Sequence, residues 1–315
     1  MAPVVVLALL ASLLYGASDF LGALTARRLT VIKASTAIYL AATAVAALAL
    51  CILPWVYSDQ ALWAGTIAGL FAIIGMVTFY AALAIGPMSL LAPLIALIQT
   101  AVPVIVAAAT GQSLQLVAWI AVVFALIATT LISIPAGAQT VEPPSGGARI
   151  ERISSRGGVL ALVSGVTLGL SVVSLDTAPV DSGIFPAFLD IAVGLVVLLP
   201  LLTVRRFRTG DGWLKGEGGA VSLAPPTVEA PSDAEPTRAR TWLMSAVAGV
   251  LLGGGNILLV IALHSGNLAV VAVLMGLYPV GTVVLARLVL KERMSLVQFF
   301  GVALAITAAI LLGTS

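Results

Sequence analysis

Long apolar runs separated by short polar or basic breaks dominate the chain. Ten are read, at residues 4–25, 34–57, 61–84, 88–109 and 114–135, then at 157–176, 184–204, 242–263, 268–289 and 295–313. A helix rises about 1.5 Å per residue, so about 20 residues cross a hydrocarbon core about 30 Å thick. Lipid cannot satisfy an open backbone and the runs lack the alternation of a barrel strand, so each is predicted to be a helix. The first run follows Met1-Ala2-Pro3 with no basic segment and no cleavage signature, which predicts a retained helix and not a signal peptide.

The same pattern repeats within the chain. Residues 82–131 align with 262–311 without a gap, pairing Ala82 with Ala262, Leu83 with Leu263, Gly86 with Gly266, Leu97 with Leu277, Leu116 with Leu296 and Leu131 with Leu311. Apolar composition inflates such matches, so the ungapped length and the shared glycine at a turn carry the weight. The expected fold class is an all-α membrane protein of ten transmembrane helices, arranged as two five-helix repeats. Five is odd, so the second half enters the membrane from the opposite side and the repeat is inverted. Residues 1–135 form the first repeat, 136–156 the linker, and 157–315 the second repeat, with a disordered loop expected at 205–241.

Composition agrees, at 61% hydrophobic and 9% charged residues with a mean hydropathy of +1.17. That leaves too little polar surface for a water-soluble globule of 315 residues. All 15 Lys and Arg fall on one side of the ten-helix arrangement, in the breaks after the first, fifth and seventh runs and at the junction of the ninth and tenth. The positive-inside rule makes those loops cytoplasmic and places both termini outside a bacterial-type plasma membrane. The net charge of +2 therefore reports orientation and gives no reason to expect a nucleic-acid partner. Cys51 is the single cysteine, so no disulfide framework or cysteine-rich metal site is expected.

Asp19 is the sharpest candidate for chemistry. It lies about 7 Å from the midpoint of the first run, where an ionised Asp costs about 2.5–3.5 kcal/mol on insertion scales, so it should face a cavity or a partner. Ser12, Tyr15, Gly16, Asp19 and Gly22 recur on one helical face. Ser164, Thr167, Ser171 and Ser174 form a similar stripe in the sixth run, an opposing wall or a packing seam. Candidate solute contacts are Tyr15, Asp19, Tyr80, Gln99, Ser164, Ser171, Asn256 and Tyr278. Asp19 and His264 are the candidates for proton coupling, with a hydrogen-bonded packing role for Asp19 and an interfacial helix cap for His264 as their structural counterparts.

Asp190 is a second acid in an apolar run, explained by a close helix contact or a neighbouring hydrogen bond. Pro93 and Pro103 in the fourth run and Tyr278-Pro279 in the ninth predict interrupted helices in corresponding segments, whose freed carbonyls could face a midplane site. Gly65 and Gly69, Gly165 and Gly169, and Gly249 and Gly253 are GxxxG pairs assigned to close helix contact, within one chain or across a homodimer. Ser295 and Gln298 are spaced as a capping box for the last helix, beside Glu292, which can pair with Lys291 or Arg293.

In the second repeat, Ala262-Leu263, Gly266-Asn267-Leu268-Ala269, Tyr278-Pro279, Leu290-Lys291-Glu292-Arg293-Met294-Ser295, Gln298, Gly301 and Leu304 carry a specific resemblance. This pattern resembles the EamA family of the drug/metabolite transporter superfamily. The first repeat shows it more weakly, with Gly86-Pro87-Met88-Ser89 at the turn and Gly111-Gln112 in place of the Glu. The resemblance implies a ten-helix secondary carrier whose cavity is lined by helices 1, 3, 4, 6, 8 and 9, and it names no substrate.

The chain has no GxxxxGK[ST] loop, no cluster with metal-ligand spacing and no GxSxG elbow. No cofactor, metal or enzymatic activity is therefore expected. No Lys or Arg sits deep in an apolar run, which favours neutral, zwitterionic or cationic solutes over phosphorylated ones. The expected function is secondary transport, outward, of a small metabolite, amino acid or drug-like solute by alternating access, with proton antiport or uniport. Its expected partners are that solute and the lipid bilayer, and the carrier is a monomer or a homodimer. Two alternatives are a lipid or polyprenyl-carrier translocase on the same fold, and a non-transporting scaffold or sensor.

Overall fold

The computed structural model describes residues 2–26, 29, 31–85, 88–111, 116–133, 155–207, 238–281 and 295–314. The linker and the expected loop at 205–241 fall almost wholly outside them, as do Glu292 and its neighbours. The described residues form helices and no strands: α1 (Ala2–Ala26), α2 (Val31–Ile52), α3 (Asp59–Ile85), α4 (Met88–Ala109), α5 (Leu116–Ser133), α6 (Ser155–Asp176), α7 (Phe185–Phe207), α8 (Arg238–Ser265), α9 (Leu268–Met275) and α10 (Leu296–Thr314). Among the described residues six helices are long and apolar enough to cross a membrane, namely α1, α2, α3, α6, α7 and α8. Shorter apolar stretches lie in α4, α5, α9 and α10.

Helix ends follow local chemistry. The second run was expected to reach residue 57, but α2 stops at Ile52. Pro54 explains the shortfall, since it has no N–H to donate and disfavours helical geometry in the residue before it. Ser58 caps α3 by accepting from the Ala61 N–H at 3.0 Å, and Asn267 caps α9 by accepting from Ala269 at 2.9 Å. The capping box of α10 is formed in both directions: the Gln298 N–H donates to Ser295 Oγ at 3.2 Å and the Ser295 N–H to Gln298 Oε1 at 3.1 Å.

The helices pack around a main apolar cluster drawn chiefly from α1, α5, α8, α9 and α10, with smaller clusters where α3, α4 and α6 meet and where α2 meets α7. The most extensive helix pairs are α3 with α6, α1 with α8, α5 with α10, and α2 with α8. Glycines set the closest approaches, and all three GxxxG pairs act within the chain. Gly65 and Gly69 of α3 meet α7, Gly165 and Gly169 of α6 meet α4, and Gly249 and Gly253 of α8 meet α2. At Gly69 a Cβ would collide with the Asp190 carbonyl, and at Gly249 with the Ile38 carbonyl.

The surface is apolar where a soluble protein would be polar. Leu40, Leu48, Trp63, Val196, Leu243, Phe299 and Phe300 are exposed, as is Cys51. Such a belt is stable only against lipid. Where the α2–α3 and α6–α7 connections meet, the Val56 N–H donates to the Asp181 carbonyl at 3.0 Å and Trp55 stacks on Phe185 with ring centroids 5.0 Å apart. Gly183, at φ 55°, allows the chain to turn there under the Pro54 carbonyl.

Candidate functional site

The ninth helix is interrupted earlier than its Tyr-Pro pair suggests. Helix α9 ends at Met275, turns at Gly276-Leu277, and resumes through Tyr278–Gly281. Pro279 has no N–H for the carbonyl four residues back, which is that of Met275. The Val280 N–H turns to Leu277 at 2.9 Å, which releases the Gly276 carbonyl as well. Both freed carbonyls are met by hydroxyls of neighbouring helices: Ser12 of α1 donates to Met275 at 3.4 Å, and Thr129 of α5 donates to Gly276 at 3.0 Å. The break is therefore tied into the bundle, with the single Thr129 hydroxyl proton shared between Gly276 and the Ala125 carbonyl of its own helix at 2.9 Å. A side chain at Gly276 would run into Thr100 of α4, so the break also lets α4 and α9 touch.

The polar stripe of α1 divides by role. Ser12 serves the α9 break, and Ser18 donates to the Ala248 carbonyl of α8 at 2.9 Å. Tyr15 enters a buried chain that joins three helices. Its hydroxyl donates to Asn256 Oδ1 at 2.9 Å, while Asn256 Nδ2 donates to Asp190 Oδ2 at 2.7 Å and to the Ala187 carbonyl at 3.2 Å. The second carboxylate oxygen of Asp190 is buried with no hydrogen-bond partner. Glycines make room for the chain, because a Cβ at Gly255 would lie 3.0 Å from the Tyr15 ring. Sequence reasoning treated Asp190 and Asn256 separately; the Gly253-Gly254-Gly255-Asn256 run was the available signal that α8 admits other helices closely at this level.

Asp19 stands apart from these bonds. It has no hydrogen bond or ion pair to any described residue, although its charge acts on both Tyr15 and Tyr278. Each of these three side chains is half-buried. They lie where α1 packs against the ninth helix, with Ser12 reaching the Met275 carbonyl and Leu13 lying beside Gly281. The wall so defined carries one carboxylate and two phenol rings, from α1 and from the resumed end of the ninth helix.

The other candidates lie elsewhere or have committed hydrogen bonds. Asn256 is 1% exposed, so it supports Tyr15 from behind the wall. Ser164 is fully buried and donates to the Gly75 carbonyl of α3 at 2.9 Å; Ser174 does the same to Ala64 at 2.8 Å. The α6 stripe thus makes a seam with α3, with Ser171 also buried. Gln99 is half-buried in α4. Tyr80 lies in α3 and its side chain is outside the described residues, as is that of Pro93. His264 is half-buried at the end of α8; its ring meets the Ala178 backbone in the α6–α7 connection, and its Nε2 is buried without a partner. No group of three metal-binding side chains occurs among the described residues.

A helical bundle with a lipid-facing apolar belt and an acid inside it is a polytopic membrane protein. The model of the EamA-like transporter family matches residues 155–314, and the chain belongs to that family. The family consists of membrane transporters of the drug/metabolite type, which places this protein among multi-pass carriers of small-molecule solutes. The match begins where α6 begins, in the half whose sequence carries the clearer pattern. No curated protein matches the chain. A crystal structure described only as that of a protein is similar in fold, with a TM-score of 0.68 at 16% identity over 99% of this chain and 96% of that one.

Proposed function

We propose that the protein is a secondary active carrier that exports a small metabolite or drug-like solute across the plasma membrane by alternating access between two inverted five-helix halves. The observation that carries this reading is Asp19, which has no partner among the described residues and shares a wall with Tyr15 and Tyr278, in a chain of the EamA-like family. An acid held inside a membrane bundle without a partner costs free energy that a solute or a proton can relieve.

Packing supports the inverted halves. Exchanging α1–α5 for α6–α10 turns the α1–α8 pair into α6–α3, and the α2–α8 pair into α7–α3; all four are extensive in the fold. Gly69 and Gly249 stand at equivalent positions of the repeat and perform the same close approach, one against α7 and the other against α2. Rocking one half against the other about the break in the ninth helix would open the wall to each side in turn. The basic loops lie on the cytoplasmic side in this reading.

Solute contacts are assigned to Tyr15, Asp19 and Tyr278, with Asp19 also carrying the coupling proton. The test is flux of a metabolite panel into proteoliposomes with and without an imposed pH gradient. Wild-type protein is expected to show flux of at least one solute that the gradient accelerates. Asp19→Asn is expected to remain monodisperse while losing that acceleration; pH dependence that survives the substitution would remove the proton role from Asp19.

A further inference from the structure

Tyr15 sits one helical turn from Asp19 on the same face of α1, yet its hydroxyl proton goes elsewhere. The direction of that bond is fixed by Asn256. Its amide nitrogen faces two acceptors, the Ala187 carbonyl at 3.2 Å and Asp190 Oδ2 at 2.7 Å, and only an NH2 group can serve both. The amide oxygen must then face Tyr15, at 2.9 Å, and it can only accept. Asn256 is 1% exposed and is braced on two sides, so its orientation is held.

The consequence falls on Asp19. Its nearest potential donor on α1 is committed, and no described residue bonds to it. Among the described side chains the lysine and arginines, Lys33, Arg156 and Arg240, all lie in the first turns of their helices. Among the described residues the wall therefore carries a carboxylate and two phenol rings, with no cation to match a carboxylate or phosphate on a solute. An ammonium group fits that chemistry, because it supplies both the charge and the N–H donors that Asp19 lacks, and phenol rings favour a cation over their faces.

Resting on the carrier reading above, we infer that the group recognised by this site is a protonated amine, held on the Asp19 carboxylate between the rings of Tyr15 and Tyr278. The Asn256–Asp190 pair are positioning residues that keep the Tyr15 hydroxyl from satisfying Asp19 in place of the solute. Zwitterions and anions are discriminated against because their carboxylate meets Asp19 with no compensating cation. Neutral alcohols lack the charge.

The experiment measures binding to the purified full chain in detergent for four probes of one skeleton: 2-phenylethylamine, 2-phenylethanol, phenylalanine and 3-phenylpropanoate. The amine is expected to bind tightest, and Asp19→Asn, close to isosteric, to weaken it by about tenfold or more, as loss of a charge-assisted contact should. Asn256→Met is expected to weaken the amine as well, by freeing the Tyr15 hydroxyl to turn on Asp19, and adding Tyr15→Phe to that variant is expected to restore binding. A purely structural role for Asn256 would not be rescued by removing a second hydrogen-bonding group. If the Asn256 variant does not fold, Asp19→Asn still decides.

Equal or tighter binding of phenylalanine, phenylpropanoate or the alcohol would overturn the inference, as would failure of all four to bind. Proteoliposome flux separates the two readings. Amine binding without flux keeps the cation site and removes the carrier function, whereas flux of other solutes with no amine binding keeps the carrier and removes the cation site.

Discussion

At the residue scale, the site depends on which hydrogen bonds are already made. Asn256 shows this most clearly, since it joins Tyr15 of α1 to Asp190 of α7 and is itself buried. The equivalent position of the first repeat holds Met76, so the other half does without such a junction. Asn256→Met is therefore expected to lose the bonds, leaving Asp190 Oδ2 and the Ala187 carbonyl without their donor while the Tyr15 hydroxyl turns to Asp19. A destabilisation of about 1–3 kcal/mol follows from leaving buried groups unsatisfied, readable as a lower midpoint when the detergent-solubilised protein is unfolded with SDS. A midpoint equal to wild type would mean that Asp190 finds another donor in the variant.

Asp19 and its stripe were legible in the sequence, because an acid in an apolar run needs an explanation and helical spacing shows its neighbours. The division of that stripe was not. Ser12, Tyr15 and Asp19 share a face, yet Ser12 bonds to α9 and Tyr15 to α8, while Asp19 bonds to neither. Periodicity gives a direction from the helix axis, and only the neighbouring helices determine which group along that direction finds a partner.

At the element scale, close approach is set by the absence of side chains. A Cβ at Gly249 would run into the Ile38 backbone and one at Gly69 into the Asp190 backbone, so neither site can be relieved by a rotamer change. Gly69→Val and Gly249→Val are each expected to destabilise by about 1–3 kcal/mol through overpacking. Gly254 is the control, since its nearest neighbour would be a Leu14 methyl at 3.5 Å, an ordinary contact. Gly254→Ala should shift the thermal midpoint of the solubilised protein by little compared with the other two. Similar losses at all three would show that helix flexibility matters here more than packing.

The broken ninth helix belongs to the same scale. Pro279 marked it in the sequence, but the turn falls at Gly276-Leu277, on the N-terminal side of the proline. The physical reason is that a proline disturbs the carbonyl four residues before it, so the disorder of the hydrogen-bond ladder precedes the residue that causes it. That Ser12 and Thr129 meet the released carbonyls could not be read from α9 alone.

At the scale of the whole molecule, orientation follows from charge. The basic loops predict that residues 136–156 face the cytoplasm and that Asp59 and Asp181 face outward. In a Cys51→Ser background, Asp59→Cys is expected to react with a membrane-impermeant thiol reagent in intact cells, and Ser145→Cys only after permeabilisation. The reverse pattern would invert the topology and, with it, the direction assigned to transport.

The sequence by itself determined that this is a helical membrane protein with an internal repeat, because crossing lipid demands about 20 apolar residues per helix and leaves a periodic record in the chain. It also placed most helix ends to within two residues, and the cap of α10, which depend on residues within one turn of each other. Only the tertiary structure decided that all three glycine pairs pack inside one chain, that Asn256 stands behind the wall, and that Asp19 finds no partner among the described residues. Those outcomes rest on contacts between residues as many as 241 positions apart. Such contacts depend on how helices dock, and docking has no local signature in the chain.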